Sequence, residues 1–174
     1  LETIKERHID TVLMGWKGST DTPGRIFGNV VDTIIRQATC ELLLVKLGNS
    51  ANLNANLNAN FKRCLVPMAG GPNAKIALKL IPALVTSSHE LEIGLTQVFP
   101  LSQQKDMSVL KAAKQLLINK YKLSTLIKVT SIRNNSVSEG VINLVNIEGF
   151  DLVVLGASRE GMLQQAMNGN IPEA

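Results

Sequence analysis

Apolar residues along the 174-residue chain fall into two alternating rhythms. Runs at 9–15, 40–47, 62–68, 91–99, 125–132 and 150–156 are short and mostly rich in Val, Leu and Ile, the pattern of strands buried on both faces. Between them the spacing changes to three and four. Val30, Val31, Ile34, Ile35 and Ala38 form one stripe, and residues 76–85 a second. Leu110, Ala113, Leu116, Leu117 and Tyr121 form a third, and Val137, Val141, Leu144 and Val145 a fourth. Each stripe predicts a helix with one buried face. Ser136 and Glu139 have the spacing of a capping box at the start of the fourth helix, and Pro72 and Asn73 sit at the entry of the second. Pro82 falls inside the 73–88 helix, where a missing N–H predicts a kink or a split first turn. Strands alternating with helices imply parallel βαβ units, hence an α/β fold with an open parallel sheet and helices on both faces.

The stretch 48–60 breaks the rhythm with an Asn-Ala-Asn-Leu repeat. Its apolar content is too low to offset the entropy of ordering, so it reads as a linker and places a boundary near residue 60. Composition adds exclusions. An apolar content of 45% supports a globular chain, and no apolar run reaches the length of a spanning helix. The charge of +4 is spread without blocks, and aromatics are 3% of residues, which argues against a nucleic-acid surface built on basic stripes and stacking rings. Cys40 and Cys64 lack CxxC spacing and adjoin apolar runs, so buried reduced thiols are expected. His8 and His89 have no companions at metal-ligand spacing.

The chain also repeats itself. Aligned without gaps, IDTVLMGWKGSTDTPGRIFGN and FDLVVLGASREGMLQQAMNGN place Asp10 on Asp151, Gly15 on Gly156, Gly28 on Gly169 and Asn29 on Asn170. Two copies of one domain are implied. The first is represented by its tail, residues 1–48; residues 49–60 link it to the second, 61–174, which is expected to lack its last helix and strand. The 28–47 segment, homologous to those elements, could fill the open sheet edge, in the same chain or from a neighbour.

Gly15, two residues, Gly18, nine residues, Gly28 is similar to the glycine-rich loop of the universal stress protein superfamily. The resemblance implies a Rossmann-like five-stranded parallel sheet with four helices, here a partial first repeat plus a nearly complete second. In that family the loop after the fourth strand holds nucleotide phosphates and ribose. Glycines let backbone amides approach phosphate oxygens, and the helix that follows turns its positive end to the anion. The residues carried over are Gly15, Lys17, Gly18, Gly28 and Asn29 in the first copy and Gly156, Arg159, Gly169 and Asn170 in the second. Met68 and Ala69, in the LVPMAGGPNA stretch, and Val98 join them at the carboxyl ends of the neighbouring strands. Departures are visible. Asn29 replaces the usual Ser or Thr but can still cap a helix. Arg159 replaces the middle glycine, either to bind a phosphate or to fill the nucleotide's space. Ala69 stands where the family's adenine-side Asp would be. Trp16 could stack on a base, though a hydrophobe capping the sheet edge is the commoner role.

No nucleophile elbow, complete Walker loop or paired-carboxylate constellation occurs, so a binding module is expected rather than an enzyme. The resemblance implies ATP or AMP as ligand, self-association through the stress domains and no nucleic-acid partner. The wording of the repeats also resembles tandem stress domains at the cytosolic end of bacterial, notably cyanobacterial, membrane transporters of the chloride-channel or amino acid permease type. That implies a cytoplasmic regulatory part of an inner-membrane protein. The alternative is a ligand-free dimerisation or docking scaffold.

Overall fold

The computed structural model describes residues 2–16, 27–48, 61–68, 71–88 and 90–158. Among these, residues 2–48 fall in one compact unit and 61–157 in a second.

The first unit opens with a short helix, α1 (Glu2–Glu6). It continues through β1 (Thr11–Trp16), α2 (Asn29–Gln37) and β2 (Glu41–Lys46). The strands pair in parallel, Thr11 opposite Glu41 through Trp16 opposite Lys46. α2 is strongly amphipathic and buries Ile35, with Asp32 the buried polar residue on the same helix. β2 takes its described partner, β1, from its own unit, and β6 of the second sheet has β3 as its described neighbour.

The second unit runs β3 (Arg63–Pro67), α3 (Gly71–Ser87), β4 (Glu92–Phe99), α4 (Ser108–Asn119), β5 (Ile127–Arg133), α5 (Val137–Glu148) and β6 (Leu152–Val153). All pairings are parallel and the order is β5-β4-β3-β6, four strands among the described residues. This is an α/β fold. From β3 the chain steps outward twice in one direction, to β4 and then β5. Right-handed crossovers therefore put α3 and α4 on one face, where they touch each other. The next crossing returns past β4 and β3 to β6, which sends α5 to the opposite face, against β4.

Strand periodicity sorts the core accordingly. Cys64, Val66, Ile93, Leu95 and Ile127 pack with Ala77, Leu78 and Ile81 of α3 and Leu110, Ala113 and Leu117 of α4. Each fully buried Leu or Ile contributes roughly 1.5–3 kcal/mol of transfer free energy. The other face holds Leu65 and Phe150 over Gly94, where an added Cβ would come within 2.6 Å of the Phe150 ring. α3 is assigned as one helix from Gly71 to Ser87 with Pro82 inside it. The expected split is therefore absent, and the Thr86 hydroxyl donates to the Pro82 carbonyl at 2.9 Å. β6 is shorter than the 150–156 run implied, although the Val154 N–H still donates to the Leu65 carbonyl.

At the amino ends of these strands the charges are paired. The Asp151 carboxylate accepts from the backbone N–H groups of Lys62 and Arg63 at 2.9 and 3.1 Å. Glu92 accepts from Arg63 at 3.2 Å and from Lys128 at 2.7 Å, and Arg63 also reaches Glu148. The hydrogen bond from Lys128 holds the Glu92 carboxyl below the usual carboxylate range, and Arg63 adds to the effect.

Candidate functional site

The reversal of strand order between β3 and β6 creates a crevice at the carboxyl ends, because α3 leaves β3 on one face while α5 approaches from the other. A cavity of ≈ 200 Å³ lies there. Pro67 and Met68 at the end of β3, Thr96 and Val98 of β4, and Leu155 and Gly156 beyond β6 supply the strand side. Asn73 and Ala74 in the first turn of α3, and Val137 at the start of α5, supply the helix side. Two helix amino termini thus border one apolar hollow.

Three local devices shape it. Ser136 caps α5 by accepting from the Glu139 N–H at 3.3 Å, while its own N–H donates to Asn134 Oδ1 at 2.8 Å. Half of the predicted capping box is therefore present, and Asn134 takes the reciprocal place expected for Glu139. The Thr96 hydroxyl donates to the Thr130 carbonyl at 3.0 Å, which commits its only proton. Gly156 packs directly on α3: an added Cβ would lie 1.8 Å from the Asn73 carbonyl oxygen.

Among the described residues, no lining side chain carries a charge. Arg133, at the carboxyl end of β5, is engaged by main-chain carbonyls, donating to Pro100 at 2.9 Å, to Leu101 at 3.2 Å and to Gln103. The cavity as described therefore suits a neutral, largely apolar group. It is smaller than the roughly 300–1,000 Å³ of pockets that enclose a whole drug-sized ligand, so it accommodates part of one.

Of the residues singled out in the sequence, Met68, Val98 and Gly156 come together in this cavity. Gly15, Gly28 and Asn29 lie in the first unit. Lys17, Gly18, Ala69, Arg159, Gly169 and Asn170 lie outside the described residues. The sequence reading missed Asn73 and Thr96 as lining groups. Thr96 was within reach of the pattern, since it sits two residues from Val98 and shares its face of β4. Asn73 was noted only as a helix-entry residue.

In the first unit, Gly28 is the residue before α2, with φ 99° and ψ 163°. Only glycine adopts this backbone readily. Asn29 is the first helical residue, and no side chain caps α2, which corrects the expectation of an asparagine cap. Buried Asp32 instead reaches back, accepting from the Phe27 N–H at 3.1 Å. The Phe27 ring meets Trp16 edge-on with centroids 4.9 Å apart, and the Lys46 ammonium lies 5.6 Å from the Trp16 centroid. Trp16 therefore packs as a hydrophobe at the end of β1, as its position suggested. Among the described residues its buried Nε1–H has no acceptor.

Residues 1–46 match the universal stress protein family. The matched stretch holds the first glycine-rich segment and ends at the last residue of β2, so the stress-protein signal in sequence is concentrated in the first unit. Among solved structures, the chain is similar to a universal stress protein from Burkholderia pseudomallei. That pair shows 18% identity and a TM-score of 0.41, covering 63% of this chain and 92% of the other. It is also similar to hypothetical protein MJ0577, solved as a structural-genomics test case for structure-based assignment of biochemical function. There the identity is 19% and the TM-score 0.42, covering 66% of this chain and 92% of the other. No protein of curated function matches the chain. Among the described residues, no helix is long and apolar enough to cross a membrane.

Proposed function

We propose that the chain is a universal stress protein-type regulatory module that binds an adenine nucleotide, ATP or AMP, with the base in the crevice beside β3 and the phosphates directed to a glycine-rich segment. The observation that carries this reading is the cavity's position at the strand-order reversal, flanked by the amino termini of α3 and α5. Open α/β sheets bind their ligands at that point. The module acts by binding and not by chemistry. Its setting is the cytosolic part of a membrane transport protein, where ligand occupancy shifts the transporter between states by differential affinity.

Calorimetric titration of the full chain with ATP and AMP, alongside thermal melts, tests the binding. Saturable heat and a raised melting temperature are expected. Neither heat nor shift with any nucleotide would remove the sensor and leave a ligand-free dimerisation or docking scaffold. The transporter setting is tested by the coding sequence on either side, where spanning helices are expected.

A further inference from the structure

We propose that the face of the second unit formed by α3 and α4 is a docking surface for a bilayer that carries anionic phospholipid headgroups. The inference goes beyond the nucleotide reading and does not depend on it.

The helix charges of this unit are sorted by face. α3 carries Lys75 and Lys79 and no acidic residue, and α4 carries Lys111 and Lys114 and no acidic residue. Lys120 and Lys122 follow directly on the end of α4. The two helices lie on the same side of the sheet and touch each other, so lysines that form no block along the sequence are gathered on one surface. α5, on the opposite side, reverses the pattern, with Glu139 and Glu148 and no basic residue. Asp106 stands just before α4, but its carboxylate already accepts from the Ser108 N–H at 2.9 Å. Lys75, Lys111, Lys120 and Lys122 are exposed.

Folding alone gives no reason for this arrangement. Lys75 and Lys79 are four residues apart and Lys111 and Lys114 three apart, the spacings at which like charges on a helix repel. At the amino ends of the strands the same unit pairs its cations, Arg63 with Glu92 and Glu148, and Lys128 with Glu92. The α3–α4 face is left with a one-signed field that an external anionic surface neutralises.

Two features select lipid among anionic partners. Every cation on the two helices is lysine, a point charge that suits a diffuse array of headgroups. Protein interfaces are depleted in lysine and enriched in arginine, and no aromatic ring on either helix offers a nucleic-acid base a stacking platform. Apolar side chains also stand among the lysines, Ile76 of α3 being 43% exposed and Ile118 of α4 41%. Aliphatic groups beside lysines enter the headgroup boundary of a bilayer.

The test is flotation of the full chain with vesicles of phosphatidylcholine alone and of phosphatidylcholine mixed with phosphatidylglycerol. The chain is expected to float with the mixed vesicles only, and to be released as salt rises. A variant with Lys75→Gln, Lys111→Gln and Lys120→Gln should partition about 100-fold less, about fivefold for each lysine. A control with Lys5→Gln, Arg7→Gln and Arg36→Gln, exposed residues of the first unit, makes the same change in net charge and should stay within about threefold of wild type. Circular dichroism melts confirm that both variants fold.

Equal loss in the two variants would reduce the effect to net charge and overturn the assignment to this face. Binding to mixed vesicles no stronger than to phosphatidylcholine overturns the inference outright. Tighter binding to soluble polyglutamate or to duplex DNA than to mixed vesicles would give the face to a protein or a nucleic acid and remove the lipid reading. AMP binding is measured separately, and its failure leaves each of these outcomes unchanged.

Discussion

Gly156 lies against the first turn of α3, where an added Cβ would stand 1.8 Å from the carbonyl oxygen of Asn73. Its repeat counterpart Gly15, in β1, has nothing within 4 Å of the same point among the described residues. The two glycines align in sequence and differ in what they must avoid. Gly156→Ala is expected to destabilise the chain by about 1–3 kcal/mol, as overpacking does, because helix backbone and not a movable side chain blocks the site. Gly15→Ala should be neutral or stabilise by up to about 1 kcal/mol. Urea midpoints of the two variants make the comparison.

Asp32 anchors the residue preceding Gly28 by accepting the Phe27 N–H. Asp32→Ala strips that donor of its acceptor and removes a negative charge from the first turn of α2, at an expected cost of about 1–3 kcal/mol. Because Phe27 packs edge-on against Trp16, the only tryptophan, the emission spectrum of the folded variant should also shift. An unchanged spectrum and unchanged stability would remove the anchor role.

Glu92 ties the amino ends of three strands through Arg63 and Lys128. Its carboxyl, lowered chiefly by the Lys128 hydrogen bond, stays ionised in the folded chain at pH values where the unfolded chain binds a proton. The contribution is present above the unfolded value, about 4.3, and is lost as pH falls through the lower folded value. Urea melts from neutral pH into that acid range should therefore fall more steeply for wild type than for Glu92→Gln.

Burial, with the Asp151 charge second, pushes the Cys64 thiol up to about 12. An unfolded thiol ionises near pH 8.5, so between these values the unfolded chain releases a proton that the folded chain keeps. Stability should decline as pH rises through that window, and less so in Cys64→Ala. Iodoacetamide should modify Cys64 only in denaturant, since the side chain is wholly buried.

Much of this architecture was legible along the chain. The Val-, Leu- and Ile-rich runs became strands, though only β3 and β4 bury consecutive residues as strands covered on both faces do, while β1 and β2 bury none fully; the helical stripes became α2 to α5. α1 was not legible, since ETIKE is short and presents no buried face. Pro82 was read from its local cost, yet α3 carries it, with Ile81 and Leu78 seated in the core around it. Met68, Val98 and Gly156 were reachable from the carboxyl ends of the strand runs. Asn73 was not, because its importance comes from meeting Gly156 across the β3–β6 junction, a neighbour supplied by topology and not by spacing.

The Asp151 grip on the backbone of Lys62 and Arg63 joins residues 89 and 88 positions apart. During synthesis β3 leaves the ribosome early, yet one of its flanks stays bare until β6 follows. The β3–β6 seam is thus the last of the described pairings in this sheet to close. A nascent chain halted before Asp151 would display that flank to any passing strand, so the interval between emergence of β3 and of β6 is when a holding chaperone has most to protect.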